Sequence, residues 1–283
     1  MMLQQILVLT DFSKGSARAV EFAVHSGKIL PAEIILLHAA NLQGNLYTDY
    51  MGVNKEFNQT LFNEVRNKMF QLKNDIGEKD GVEVNTVISE MSLTDAIAEI
   101  TREKNIGLII MGTHGTGDFR KKVFGSNTSL VIDKSKAAVL VVPTDYQWKK
   151  PVKFLYATNR FEKQDIILDF LFELADLYMA DITVAVFTDV ENEKALAYLE
   201  NSRKLGEFEK MMKRKYNEKN LSVVHLSGTD FPKTLREYID ANEIDILVMI
   251  NYEKGLWARL FHTSMTEYMS HHINIPLLAI SGN

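Results

Sequence analysis

Residues 111–126 read MGTHGTGDFRKKVFGS, directly after the apolar run IGLIIM. Gly112 and Gly115 allow close backbone approach and positive φ, which residues bearing a Cβ resist. Gly125 and Ser126 then open a helical stretch, whose unpaired N–H groups and positive dipole end suit an anion. Ser126 and Thr128 can add hydroxyl donors, and Ser126 could also cap the helix. This combination is a phosphate cradle. It is not the G-x-x-x-x-G-K-[ST] loop, and its order, G-x-x-G-x-G, is not the dinucleotide G-x-G-x-x-G. A second polar point, Thr10-Asp11, closes the first apolar run QILVL. Asp11 has two readings, a ligand contact or a cap on the following helix.

Other chemistries find little support. The chain has no cysteine, which excludes disulfides and a thiol nucleophile. A net charge of -5 without a basic, aromatic-interleaved cluster argues against a nucleic-acid partner. Lys121 and Lys122 could reach phosphates, but they read first as solvated surface. No H-x-x-x-H pair, ligand-spaced carboxylate cluster or G-x-S-x-G elbow stands out, and the adjacent His271 and His272 would point to different helix faces. The N-terminus lacks a basic n-region, and no apolar run reaches the roughly 20 residues that span a bilayer. The expectation is a soluble cytoplasmic protein with no membrane contact.

The elements that must position these residues alternate. Strand QILVLTDFS is followed by a helix in SKGSARAVEFAVHSGKIL, with Ser13 as its N-cap. Strand EIILLHAA, a long helix from about Asn54 to Ile76, strand VEVNTVIS and helix SLTDAIAEITREKN follow. Strand IGLIIMG, a helix from about Thr128 and strand AAVLVVP close the first half. Short apolar strands alternating with helices predict a parallel sheet covered on both faces. The Met- and aromatic-bearing stretches NEVRNKMFQL and FEKMMKRKY fall at helical spacing and are expected to form core faces.

The programme then repeats. VKFLYATNRF matches QQILVLTDFS, ADITVAVF matches AEIILLHA, and INIPLLAI matches KAAVLVVP. A domain-sized repeat predicts a tandem duplication, residues 1–146 and 147–283, joined near TDYQWKKP. In the second copy, MINYEKGLWARLFHTS, Ile250 and Glu253 replace Gly112 and Gly115, His262-Thr263 replace Gly125-Ser126, and Asn159 replaces Asp11. Those side chains would obstruct and repel a polyphosphate, so any cradle is confined to the first half. Gly255, at the Gly117 position, serves a turn.

The spacing G-x-x-G, nine residues, G-[ST], carried by Gly112, Gly115, Gly125 and Ser126, resembles the universal stress protein family. ILVLTDFS, LIIMGTHG and AAVLVVP resemble it too, across both halves. The resemblance implies an α/β fold of two tandem, doubly wound, five-stranded parallel-sheet domains. Each would be Rossmann-like, of the adenine nucleotide alpha hydrolase-like kind, with strand order 3-2-1-4-5. It further implies that the domains pair through their last strands, here as an internal pseudo-dimer, with further association into a homodimer open. In the family's ATP-binding members, Thr10 and Asp11 would correspond to residues by the adenosine, and Ala39 to a backbone contact with adenine. Met111, Gly112, His114 and Gly115 would flank the ribose and α-phosphate. Gly125, Ser126, Asn127 and Thr128 would surround the outer phosphates. Asn127, a small aliphatic residue in most of the family, would act through its N–H. The resemblance therefore implies ATP, with Mg²⁺ or Mn²⁺ bridging its phosphates, and an unidentified protein partner. Two alternatives stay open: a scaffold that binds no nucleotide, and a slow ATPase.

Overall fold

The structure, a computed structural model, describes residues 3–40, 53–113, 126–159, 161, 165–190, 195–216, 220–251 and 274–282. His114, Gly115, Gly117, Lys121, Lys122 and Gly125 lie outside them, as do Glu253, Gly255, His262, Thr263, His271 and His272.

The first half runs β1 (Gln5–Leu9), α1 (Lys14–Gly27), β2 (Glu33–Ala39), α2 (Val53–Asp80), β3 (Val84–Ser89), α3 (Leu93–Glu103), β4 (Ile106–Gly112), α4 (Ser126–Lys134) and β5 (Ala138–Val142). The second runs β6 (Lys153–Thr158), α5 (Asp165–Tyr178), β7 (Asp181–Asp189), α6 (Ala195–Lys215), β8 (Leu221–Gly228), α7 (Phe231–Asn242), β9 (Ile246–Asn251) and β10 (Leu277–Ser281). Local signals set several helix starts. Ser13, Ser92 and Asp230 each cap a helix by accepting from the amide three residues on, and Pro232 sits in the first turn of α7.

Within each half the strands are parallel and ordered as expected: β3-β2-β1-β4-β5, and β8-β7-β6-β9-β10. Ile6 lies opposite both Ile34 and Leu108, as Phe154 lies opposite Ile182 and Ile246. The two sheets are continuous. β5 pairs antiparallel with β10, Leu140 opposite Leu278, making one ten-stranded sheet. The last strands thus form the internal pseudo-dimer, and neither is left with an open edge at the junction.

Period-two alternation sends strand side chains to two layers. Ile6, Val8, Phe154 and Tyr156 face a cluster with α1, α2, α5 and α6, while Leu7, Leu9, Leu155 and Ala157 face one with α3, α4 and α7. Both clusters contain residues of both halves. Of the Met- and aromatic-rich helix stretches, Val65, Met69, Phe208 and Met212 are buried as expected. Phe70 is not: it is 62% exposed, turned around the helix axis from the buried Met69 before it.

Candidate functional site

In the order 3-2-1-4-5 the chain reverses direction of winding between β1 and β4, and crevices at such a switch point are where open α/β sheets take ligands. Thr10 continues β1 by donating its amide to the Leu37 carbonyl at 2.9 Å. Its Oγ1 accepts from the Phe12 amide at 3.2 Å and lies 3.3 Å from the Ser16 hydroxyl. Phe12 is left-handed, φ 61°, a rare state for a bulky residue. That turn brings Asp11 back over the start of α1. Asp11 Oδ1 accepts from the Ser13 amide at 3.0 Å, and the Asp11 amide donates to Ser16 Oγ at 3.4 Å. Partial burial alone would raise the Asp11 carboxyl, but hydrogen bonds from Ser13 and Ser16 outweigh it and hold the carboxyl below its usual 3.8. An ionised Asp11 also suits the positive end of α1.

Gly112 ends β4 against that same helix start. A Cβ placed there would lie 2.5 Å from both the carbon and oxygen of the Gly15 carbonyl, and 3.0 Å from the Ser16 nitrogen. Positive φ, expected from the sequence, is not what this glycine provides: its φ lies outside the left-handed range, and the demand is for space alone. The close approach is by the protein's own backbone. Met111, one residue earlier, turns its side chain into the cluster beneath α3 and α4.

Helix α4 is docked on the same strand end. Thr128, 2% exposed, aims its hydroxyl at the carbonyls of Gly112 (3.4 Å) and Thr113 (3.3 Å). Thr113 in turn donates its amide to Val142 at 3.1 Å, and its hydroxyl sits 3.2 Å from that of Thr144. Ser126 and Asn127 stand exposed in the first turn of α4. Two helix N-termini, those of α1 and α4, therefore converge on Gly112. Ala39 marks the end of β2 on the opposite side of β1. His114, Gly115 and Gly125 lie outside the described residues.

Sequence reasoning did not find His38, Phe12 or Lys68. His38 Nδ1 lies 2.8 Å from the Thr10 carbonyl, so that nitrogen carries the proton and donates. Its ring stacks on Phe12 at 4.8 Å, and Lys68 Nζ stands 5.8 Å from the centre of the Phe12 ring. These residues come from β2, the β1–α1 turn and α2, so no local spacing announces the cluster. Its effect is to brace the turn that carries Asp11.

The equivalent point of the second half is built differently. The registers Val8–Ile110 and Tyr156–Val248 superimpose Thr10 on Thr158 and Gly112 on Ile250. Ile250 is buried and joins the cluster against α5 and α6. Among the described residues, no group of three or more His, Cys, Asp or Glu could hold a metal ion, and no helix is long and apolar enough to cross a membrane.

A model of the universal stress protein family matches residues 2–143 and again 152–281. A universal stress protein of Methanocaldococcus jannaschii is 32% identical over 155 residues, covering 50% of this chain and 95% of that protein. The Bacillus subtilis universal stress protein YxiE is 29% identical over 147 residues, covering 50% and 99%. A crystal structure of a universal stress protein from Archaeoglobus fulgidus covers 100% of both chains with a TM-score of 0.69 at 17% identity, a likeness of fold.

Proposed function

The chain belongs to the universal stress protein family, and we propose that its N-terminal half binds ATP and acts as a cytoplasmic, nucleotide-linked regulator of a protein partner. The observation that carries this reading is the convergence of two helix N-termini on the end of β4 at the sheet's switch point. Each brings a positive helix-dipole end to the end of β4, which suits a polyphosphate. Residues 1–146 would be the binding domain, and 147–283 a domain of the same fold without the cradle.

In this reading Thr10, Asp11 and Ala39 border the adenosine, and Met111, Gly112, His114 and Gly115 border the ribose and first phosphate. Gly125, Ser126, Asn127 and Thr128 border the outer phosphates. Thr128 and Met111 take part through their backbone, since their side chains are committed to carbonyls and core. The exposed Ser126 hydroxyl and the amides of the first α4 turn fit phosphate oxygens. A Mg²⁺ or Mn²⁺ ion would be held by the phosphates rather than by a protein cage, and would supply charge neutralisation there. Hydrolysis, if present, is slow: Asp11 is held ionised and bonded to the Ser13 amide rather than poised as a base near neutral pH.

Mass spectrometry of small molecules released on denaturing the purified protein, with calorimetric titration of ATP, tests the proposal directly. A released adenine nucleotide or saturable binding is the expected outcome. An empty protein that gives no heat with ATP would leave the scaffold reading. That reading is favoured by the part Gly112 and Thr128 play in packing α1 and α4 on β4. Gly115→Glu, which copies Glu253 of the second half, should abolish ATP binding while leaving the circular-dichroism spectrum unchanged. Undiminished affinity in that variant would move the site elsewhere.

A further inference from the structure

Helices α1 and α4 each begin at the candidate crevice and end against the other half. In the first turn of α1, Gly15 and Ser16 contact the ends of β1 and β4, as described above. Farther along the same helix, Phe22 meets the edge of Trp148 at 4.9 Å and His25 stacks on it at 5.1 Å, binding α1 to the segment that joins the halves. In the last turn, Ser26 accepts a 2.6 Å hydrogen bond from the Tyr178 hydroxyl at the end of α5. Both residues are buried. Separating α1 from α5 would strand two buried hydroxyls, so the helices are held as a pair.

Helix α4 makes the matching link on the opposite layer. Its first turn holds Thr113 through Thr128, and its last turn holds Asn251 through Asp133, which accepts from Asn251 Nδ2 at 3.2 Å. The strand registers make Asn251 the second-half counterpart of Thr113. One helix therefore grips the same strand end in both halves. It also packs on β10.

We infer that the C-terminal half is the receiver of nucleotide occupancy in the N-terminal half, through α1 to α5 at Ser26–Tyr178 and through α4 to β9 at Asp133–Asn251. The inference rests on the nucleotide reading above. A ligand held by the first turns of α1 and α4 reduces the local opening of both helices. Because their far ends are bonded to α5 and β9, opening of those elements falls as well, a coupling carried by local stability without a large displacement. The degenerate half thereby keeps a purpose after losing its cradle. It presents to a partner a surface whose order depends on the first half's ligand.

Hydrogen exchange on the full chain, with and without ATP and Mg²⁺, tests this, with calorimetry run on the same samples. Expected is slower exchange over 126–134 together with slower exchange over 165–178 and 246–251. Tyr178→Phe keeps the ring, and Asn251→Ala alters an exposed hydrogen bond. The double variant should keep ATP-dependent protection over 126–134 and lose about three- to tenfold of it over 165–178 and 246–251, the range one hydrogen bond commands. Binding with protection confined to the first half overturns the inference and leaves the nucleotide reading standing. So does a double variant that retains full second-half protection. Absence of any calorimetric binding overturns both.

Discussion

At Gly112 the nearest atoms to an added Cβ belong to the Gly15 backbone, which has no flexible end to swing aside. Gly112→Ala should therefore displace the start of α1 and cost about 1–3 kcal/mol, as overpacked sites do. A shift in the denaturant midpoint at constant slope is the readout, and an unchanged midpoint would mean that α1 yields without penalty. Asp11 makes a prediction with a sign. Its carboxyl lies below 3.8 in the folded chain, so its contribution is present above the unfolded value and is lost as pH falls through the folded one. Asp11→Asn keeps an acceptor for the Ser13 amide but removes the charge. Between about pH 5 and the folded-state value, its stability should fall less steeply than that of the wild type. Parallel stability profiles for the two proteins would show that the charge contributes nothing.

Among the elements, the join between the halves is more constrained than a polar segment with a proline suggests. Asp245, 3% exposed just before β9, accepts from the amides of Val152 and Lys153 at 2.8 and 3.0 Å and pairs with Lys149. Tyr146 is buried, and Trp148 packs on α1. Asp245→Ala removes the acceptor from two backbone donors, each worth about 1–3 kcal/mol when left unpaired. Thermal denaturation should show the loss, and limited proteolysis should cut near 145–152 faster than in the wild type. If neither changes, water has replaced the carboxylate. Helix starts follow local chemistry more closely, since Ser13, Ser92 and Asp230 cap where their types and positions favour it.

For the molecule as a whole, the continuous sheet and the two shared apolar clusters make the halves interdependent. Residues 1–146 expressed alone would expose the β5 edge that β10 normally covers, together with the apolar side chains beside it. That fragment should self-associate through β5, with sedimentation giving a dimer or larger species at micromolar concentration. A well-behaved monomer would show that the pairing is dispensable. The family resemblance anticipated this pairing, but the antiparallel register of Leu140 and Leu278 and the buried Tyr178–Ser26 bond exist only in the fold.

The amino-acid sequence alone carries the alternation of strands and helices, the repeat, and the replacement of Gly112 by Ile250. Each depends on residue type and local spacing, which a linear chain displays. It also marks Gly112 and Thr128 as parts of a phosphate cradle, without showing what they do for packing. Those roles are tertiary: Gly15 lies against one, and the carbonyls of Gly112 and Thr113 lie against the hydroxyl of the other. His38, Lys68 and the Ser26–Tyr178 pair stayed hidden because their partners are remote in the chain and ordinary in type. Packing chooses such partners by bringing distant backbones within van der Waals and hydrogen-bond reach, and that choice has no period for a sequence to show.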